Sequence, residues 1–361
     1  MNSARSTTRI SKGVVLHFLR DQIVTGKWIP GSRLPSRREI IRQFGASSVT
    51  VQRAMDHLML DGFAFADGPN GTFVAVHPPH LARYGLLLPS HPEDHSVWRR
   101  FTTVVVSEAS RLVSNPRRTL APYYDINVHQ DSEDYKRLLR DLRAHRLAGL
   151  VSMGTPAALL APALIGPDAP PRVAFMESPA LPDTPALWHD HHSFIDQTLN
   201  YFQQRGRRRI AIISGEHYGD FGIREYLLSS MESRNMFHPP YWFQSMFVGH
   251  PELVTNIAWL LLQGKPQERP DGLIITDDNL VDDAVVGVQK SGVLVPTDLD
   301  VVVHANLPWP APDAIPVHRI GYPIVQTLEA ALDLIDRQRR GEQVPHITYI
   351  PAVVESDLPN G

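Results

Sequence analysis

The chain has 361 residues, 43% of them apolar and 20% charged, with no cysteine and a formal net charge of −3. Lack of cysteine excludes disulfides, thiolate nucleophiles, Cys-ligated zinc and iron–sulfur clusters, and no apolar run approaches the roughly 18 residues that span a bilayer. The mean charge hides a division: residues 1–80 carry ten Lys and Arg against five Asp and Glu (+5), and the remainder carries 25 against 33 (−8). A small basic head on a large acidic body points to a polyanionic partner for the head. The polar stretch 1–12 has no apolar signal-peptide core, so the expected location is the cytoplasm.

In chain order, residues 14–25 carry apolar side chains at 15, 16, 19 and 23, a helical stripe that Gly26 can stop. Ser36 with Glu39 three residues on is a capping box, and starts a second helix that Gly45 ends. After Ala46-Ser47-Ser48, a third helix places Val51, Ala54, Met55, Leu58 and Met59 on one face, leaving Thr50, Gln52, Arg53 and His57 on the other. Residues 63–66 and 72–76 flank a loop at 67–71 whose Asn70-Gly71 signals a tight hairpin turn. Three helices and a hairpin over 1–76 make a winged helix-turn-helix domain.

His77-Pro78-Pro79-His80 reads as part of a linker over 77–83. Beyond it strands are expected at 84–88, 120–128, 148–153, 172–176, 209–214, 272–276 and 299–303. Helices are expected at 101–113, 134–145, 194–205, 223–234 and 281–289. Strands alternating with helices indicate βα units and parallel sheets, about five strands in each of two. The fold class is therefore α/β, with a small winged-helix domain attached.

The head resembles the DNA-binding domain of the gluconate-repressor (GntR) family. The likeness runs through Ile23-Val24-Thr25-Gly26, Pro30-Gly31-Ser32-Arg33-Leu34-Pro35-Ser36-Arg37-Arg38-Glu39, Val49-Thr50-Val51-Gln52-Arg53-Ala54-Met55 and Gly71-Thr72-Phe73-Val74. It implies that the third helix enters the major groove, where base edges are distinguishable. Ser48, Thr50 and Gln52 stand near the start of that helix. Ser36, at another helix start, is placed for phosphate. Arg33 and Arg38 are expected on phosphate or bases, and Gly71 lets the wing approach the minor groove. Where the family commonly has Arg, this chain has Ser48 and Gln52. Either the operator is less GC-centred than the family norm, or Arg53 substitutes.

The body, 84–361, resembles the effector domain of the lac-repressor/galactose-repressor family, whose fold is of periplasmic-binding-protein type. The likeness rests on Asp190, Arg205-Gly206-Arg207-Arg208-Arg209-Ile210 through Gly215, Arg224, Gly272 to Asp278, Gly292-Pro296-Asp298, and Ile320 to Gly341. It implies two lobes, about 84–188 with 319–341 and about 189–317 with 342–361, and a small effector between them at the carboxyl ends of the strands. Asp190, Arg224 and Asp278 are the expected effector ligands, since carboxylates and a guanidinium fork suit sugar hydroxyls. Trp98 is expected to stack on a sugar face. The family pattern breaks at His91-Pro92-Glu93-Asp94-His95 and at His304-Ala305-Asn306, where ligand identity is set.

Trp188-His189-Asp190-His191-His192 looks like a metal cluster, but neighbouring side chains cannot all face one ion and the i, i+4 histidine pair is missing. No nucleophile elbow, phosphate-binding loop or dinucleotide fingerprint occurs. No catalytic residue, cofactor or metal is expected. The sequence therefore predicts a transcriptional repressor that binds double-stranded operator DNA as a homodimer and responds to a small effector, a sugar. The competing reading is a cytoplasmic sugar-binding or sugar-processing protein whose head makes protein contacts only.

Overall fold

The computed structural model describes residues 10–94, 98–112, 117–126, 131–153, 164, 169–175, 184–215, 218, 222–310 and 314–358. The chain packs as two compact units, one of residues 1–89, 109–173 and 334–343, the other of 90–108, 174–333 and 344–361.

The first unit opens with three helices, α1 (Lys12–Val24), α2 (Arg37–Phe44) and α3 (Ser48–Leu60), and the hairpin β1 (Ala64–Ala66) and β2 (Thr72–Val74). Each helix starts on a serine. Ser11, Ser36 and Ser47 accept hydrogen bonds from the backbones of Val14, Glu39 and Thr50. The expected capping box is present: Glu39 reaches back to the Ser36 backbone N–H at 2.7 Å. Val15, Leu19, Ile23, Ile40, Val51, Met55, Leu58 and Phe63 are buried together in this core. The 67–71 connection is longer than a two-residue hairpin. It holds one 3-10 turn (Gly68–Asn70) and closes with Asp67 N–H on the Gly71 carbonyl at 2.8 Å.

The segment expected to be a linker carries a short helix, α4 (Pro79–Ala82), and leads directly into β3 (Arg83–Leu87). After α5 (Arg100–Leu112), whose start belongs to the second unit, come β4 (Thr119–Tyr123), α6 (Glu133–Arg143) and β5 (Gly149–Met153). β3 pairs in parallel with β4 and β5, as the βα rhythm predicts.

An ion ladder joins the helical core to the strands inside this unit. Asp61, the C-cap of α3, binds Arg20 at 2.6 Å and Arg146 at 2.9 Å. Arg146 also binds Asp141 at 2.6 Å, and Asp141 accepts from the Tyr123 hydroxyl at 2.5 Å. Beside it, His80 stacks on Phe63 with ring centroids 5.7 Å apart, and burial holds its imidazole down to about 4.

In the second unit follow β6 (Arg172–Phe175), β7 (Ala186–Asp190), α7 (His191–Gln204), β8 (Ile210–Gly215), α8 (Ile223–Ser233), β9 (Phe243–Met246), α9 (Pro251–Leu261), β10 (Gly272–Ile275), α10 (Val281–Ser291), β11 (Asp300–Leu307), β12 (His318–Pro323), α11 (Ile324–Arg339), β13 (Ile347–Pro351) and β14 (Val353–Val354). The boundaries between the units fall inside β6 and α11. One six-stranded sheet has the order β14-β12-β11-β10-β8-β9 and is parallel except for β14. Apolar clusters cover both faces, built around Val281, Ala284 and Val288 on one side and Phe194, Leu199 and Phe202 on the other. Burial on both faces explains why its strands read as apolar runs without alternation.

Two strands correct the expected lobe boundaries. Residues 319–323, assigned to the first lobe, form β12 and pair with β11, in the register His304↔Ile320 and Asn306↔Tyr322. Residues 347–351, assigned to the second, form β13 and pair with β7 rather than with that sheet. Without β12 in this sheet, the edge of β11 opposite β10 would be bare and its backbone groups unpaired. Among the described residues, no helix is long and apolar enough to cross a membrane.

Candidate functional site

The helical core presents one candidate surface. Ser48, Arg53, Arg38, Arg33 and Ser36 are exposed around the starts of α2 and α3. Arg38 and Arg53 make no hydrogen bond or ion pair among the described residues. Their charge is uncompensated there, as a phosphate-facing surface requires. Thr50 and Gln52 are half-buried and already engaged. Thr50 Oγ1 lies 2.8 Å from Ser47 Oγ, and Gln52 Nε2 donates to Asp56 at 2.6 Å. A base edge must displace Asp56 before Gln52 can read it. Ser36 Oγ is spent on its own helix, accepting from Glu39 N–H at 3.3 Å.

Arg33 and Gly71 meet. Gly71 sits at φ +112°, and a Cβ there would lie 2.9 Å from Arg33 Nε. This position is open to glycine because the Arg33 guanidinium fills the space, and because that backbone region excludes side chains. The resemblance also assigns this glycine to the approach of the wing to the minor groove; locally it makes room for Arg33. The sequence pattern also gave no sign of the strand-like segment at 31–34. It adds to the wing through Leu34 N–H on Thr72 (2.8 Å) and Val74 N–H on Ser32 (2.8 Å). Arg33 is thereby fixed on the hairpin edge.

The second candidate lies in the second unit, at the carboxyl ends of β7, β10, β11 and β12. Asp278 follows β10 and is almost fully buried, 4% exposed. Its Oδ2 accepts from Asn306 Nδ2 at 2.7 Å and its Oδ1 from Asn279 Nδ2 at 3.3 Å. The Arg100 guanidinium donates to its backbone carbonyl at 2.5 Å. Burial pushes the Asp278 carboxyl up to about 6. Asp278 thus holds Asn306 and Arg100 in place; its own oxygens are occupied.

The other expected ligands have these partners among the described residues. Asp190 caps α7, accepting from the Ser193 N–H at 3.1 Å. Arg224 is exposed on α8, with its guanidinium 4.6 Å from the Phe243 ring centroid. Trp98 lies just before α5 rather than in it, and its indole N–H donates to Thr103 at 2.9 Å. Of the first-loop departure at 91–95, His95 lies outside the described residues.

What does converge is a set of rings, of which the sequence marked His304 as a departure from the family pattern and gave the others no effector role. His189 stacks on Tyr322 with centroids 3.7 Å apart and planes within 8°. His304 stands 5.5 Å from Tyr322, and His191 6.1 Å from it. Phe101 and Phe175 bracket the outer edge of His189 at 5.7 and 5.8 Å. Burial holds His191 and His304 down to about 4 and His189 well below its usual value, so all three imidazoles are neutral at pH 7. The histidine run at 188–192 is therefore split: His189 enters this stack, while His192 stacks on Tyr226 at 3.9 Å.

Comparison with known proteins supports both halves. Residues 12–74 match the family model "Bacterial regulatory proteins, gntR family", and residues 199–355 match "Periplasmic binding protein-like domain". The HTH-type transcriptional repressor NagR of Bacillus subtilis is 36% identical over 72 residues, 20% of this chain and 30% of that protein. The histidine utilization repressor of Pseudomonas aeruginosa is 39% identical over 61 residues, 17% of this chain and 24% of the relative. This chain spans between 12% and 30% of the length of the curated relatives it matches. Among solved structures, a LacI family transcriptional regulator from Lactobacillus casei with bound sucrose superposes with a TM-score of 0.53 at 19% identity, covering 76% of this chain and 98% of that one. CcpA of Lactococcus lactis gives 0.54 at 16% identity, covering 76% and 97%. At such identity these two establish the fold. The chain accordingly joins a gntR-type helix-turn-helix domain to a periplasmic-binding-protein-like domain whose fold is shared with the LacI regulators above.

Proposed function

We propose that this chain, a gntR-type reading head on a LacI-like body, is a sequence-specific repressor of transcription whose hold on operator DNA is set by a small effector, a sugar. The observation that carries the reading is the head: its complete winged-helix core matches the gntR model from residue 12 to 74, with exposed, unpaired Arg38 and Arg53 beside the recognition helix. Matched relatives carry the name repressor. The effector half of the proposal draws on the strand-end cluster of the second unit and on the fold, which the Lactobacillus casei regulator uses with sucrose bound.

The test is direct. Arg38→Ala is expected to weaken binding to specific and random duplex alike, lowering the slope of log affinity against log salt by about one. An unchanged salt slope removes Arg38 from the DNA face. If wild-type protein shows no salt-dependent retention on duplex DNA at all, the head makes protein contacts only.

A homodimer is part of the proposal, because a palindromic operator is read by two recognition helices about one turn apart. On the second unit, Leu253 (50% exposed) and Leu260 (54%) lie seven residues apart on α9, and Trp259 and Val286 of α9 and α10 are exposed too. Leu253 and Leu260, seven residues apart, share one face of the helix, and we assign this exposed apolar face to the second copy. In sedimentation velocity, Leu253→Asp with Leu260→Asp is expected to convert dimer to monomer. Persistence of the dimer removes this face from the interface.

A further inference from the structure

Resting on the effector reading above, we propose that the strand-end cluster takes an uncharged polyhydroxylated ring, a free sugar, and rejects its phosphate ester and its acid. Five buried polar atoms there have no partner among the described residues: His189 Nε2, Tyr218 Oη, His304 Nδ1, Asn306 Oδ1 and Tyr322 Oη. They belong together. Tyr322 stacks on His189, neighbours His304, and stands opposite Asn306 across the β11–β12 pair. Tyr218, just after β8, acts electrostatically on Tyr322. Buried polar groups are almost always hydrogen-bonded, so such a group of orphans marks a place where something else supplies the bonds.

The inventory defines that partner. Phenol hydroxyls donate and accept, a neutral imidazole nitrogen does one or the other, and an amide oxygen accepts. All five are neutral groups, matched to hydroxyls rather than to a full charge. The surrounding charges point the same way. Asp190, Asp277 and Asp278 stand at these strand ends, Asp190 acting on Tyr322 and Asp277 on His304. Arg100, the cation that acts on Asp278, is already held by Asp282 and by the Asp278 carbonyl, over the Trp309 ring at 5.4 Å. The stretches of the second unit outside the described residues contain no Lys or Arg. A phosphate or carboxylate arriving here would meet three carboxylates, and Arg100, the cation that acts on Asp278, is already engaged; a buried unpaired charge is strongly disfavoured.

The experiment is a thermal-shift and calorimetric screen of the full chain. The panel holds neutral pentoses, hexoses and disaccharides, including glucose and sucrose, beside glucose 6-phosphate, galactose 6-phosphate and glucuronate. At least one neutral sugar is expected to raise Tm, as a ligand of the folded state does, and the charged counterparts are expected to leave it unmoved. Tyr322→Phe removes a hydroxyl with no partner among the described residues. It should keep the fold and weaken the neutral sugar about tenfold, the loss typical of one directed hydrogen bond. A Tm increase with an ester or acid overturns the proposal. A flat response to the whole panel also overturns it, and equal affinity of Tyr322→Phe overturns the assignment of that hydroxyl. Salt-dependent DNA retention, measured on the same preparation, reports on the DNA reading independently.

Discussion

Asp61→Ala is expected to destabilise the first unit by about 3–5 kcal/mol, because it leaves the Arg20 and Arg146 guanidiniums without their shared buried counterion. The Asp61 side chain is 6% exposed and Arg20 10%. Solvent cannot replace the lost carboxylate at such burial. A surface pair of the same geometry would contribute at most about 1 kcal/mol, so the size of the effect separates a structural joint from decoration. Calorimetry should show a fall in melting temperature on the order of 10 °C. Asp61→Asn, which keeps one acceptor oxygen, should recover part of it. A change under about 1 kcal/mol would mean the ladder is solvent-screened. The position matters because Asp61 caps the recognition helix. Whatever moves Arg146 moves the end of that helix.

Asp278→Ala is the second large effect. It strands the Asn306 amide, which donates to Asp278 at 2.7 Å, and frees Asn306 to turn. Leaving a buried donor unsatisfied costs roughly 1–3 kcal/mol. Asn306 carries one of the orphan oxygens of the effector cluster, so sugar response is expected to disappear while salt-dependent DNA binding survives. Retained response contradicts the role of Asp278 as the residue that positions Asn306. The stability loss also has a pH signature. The folded carboxyl lies at about 6, above its usual value of 3.8. In the folded state the charged form is the disfavoured one, so wild type loses stability as pH rises from about 4 to 6 and the alanine variant does not. The penalty of the substitution should therefore be larger at pH 4.5 than at pH 7 in urea titrations.

Much of the head was legible because its signals are local. Serine caps, a Glu three residues on, and an apolar stripe at 51, 54, 55 and 58 need no knowledge of distant chain. The third wing segment was not, because residues 31–34 reach β2 across 40 positions and carry no alternation. In the body, runs such as 210–215 announced buried parallel strands. The helix α9 and strand β9 fell in a stretch with no clear period. The edge order of the sheet, on which β12 and β13 moved, depends on pairing alone.

The proposed effector cluster was the least legible part. Positions 189, 218, 304 and 322 become neighbours only when strands of two different sheets, β7 of one and β8, β11 and β12 of the other, are brought together. The departure at His304-Ala305-Asn306 was the available signal, and both polar residues of that tripeptide stand in the cluster. Asp190 looked like a ligand because it follows a strand, yet Asp three residues before Ser193 is also an N-cap pattern. Local capping chemistry took that carboxylate first.

The central claim is that one chain reads DNA with its head and changes that reading when its body binds a small molecule. The measurement that tests it most directly is fluorescence anisotropy of the full chain on a duplex recovered by selection from random DNA, titrated with and without the sugar that raises its melting temperature. A palindromic selected site is expected, with affinity that falls steeply with salt and an apparent Kd shifted several-fold or more by the sugar. Selection that recovers no common sequence, or a Kd that the sugar leaves unchanged, contradicts it.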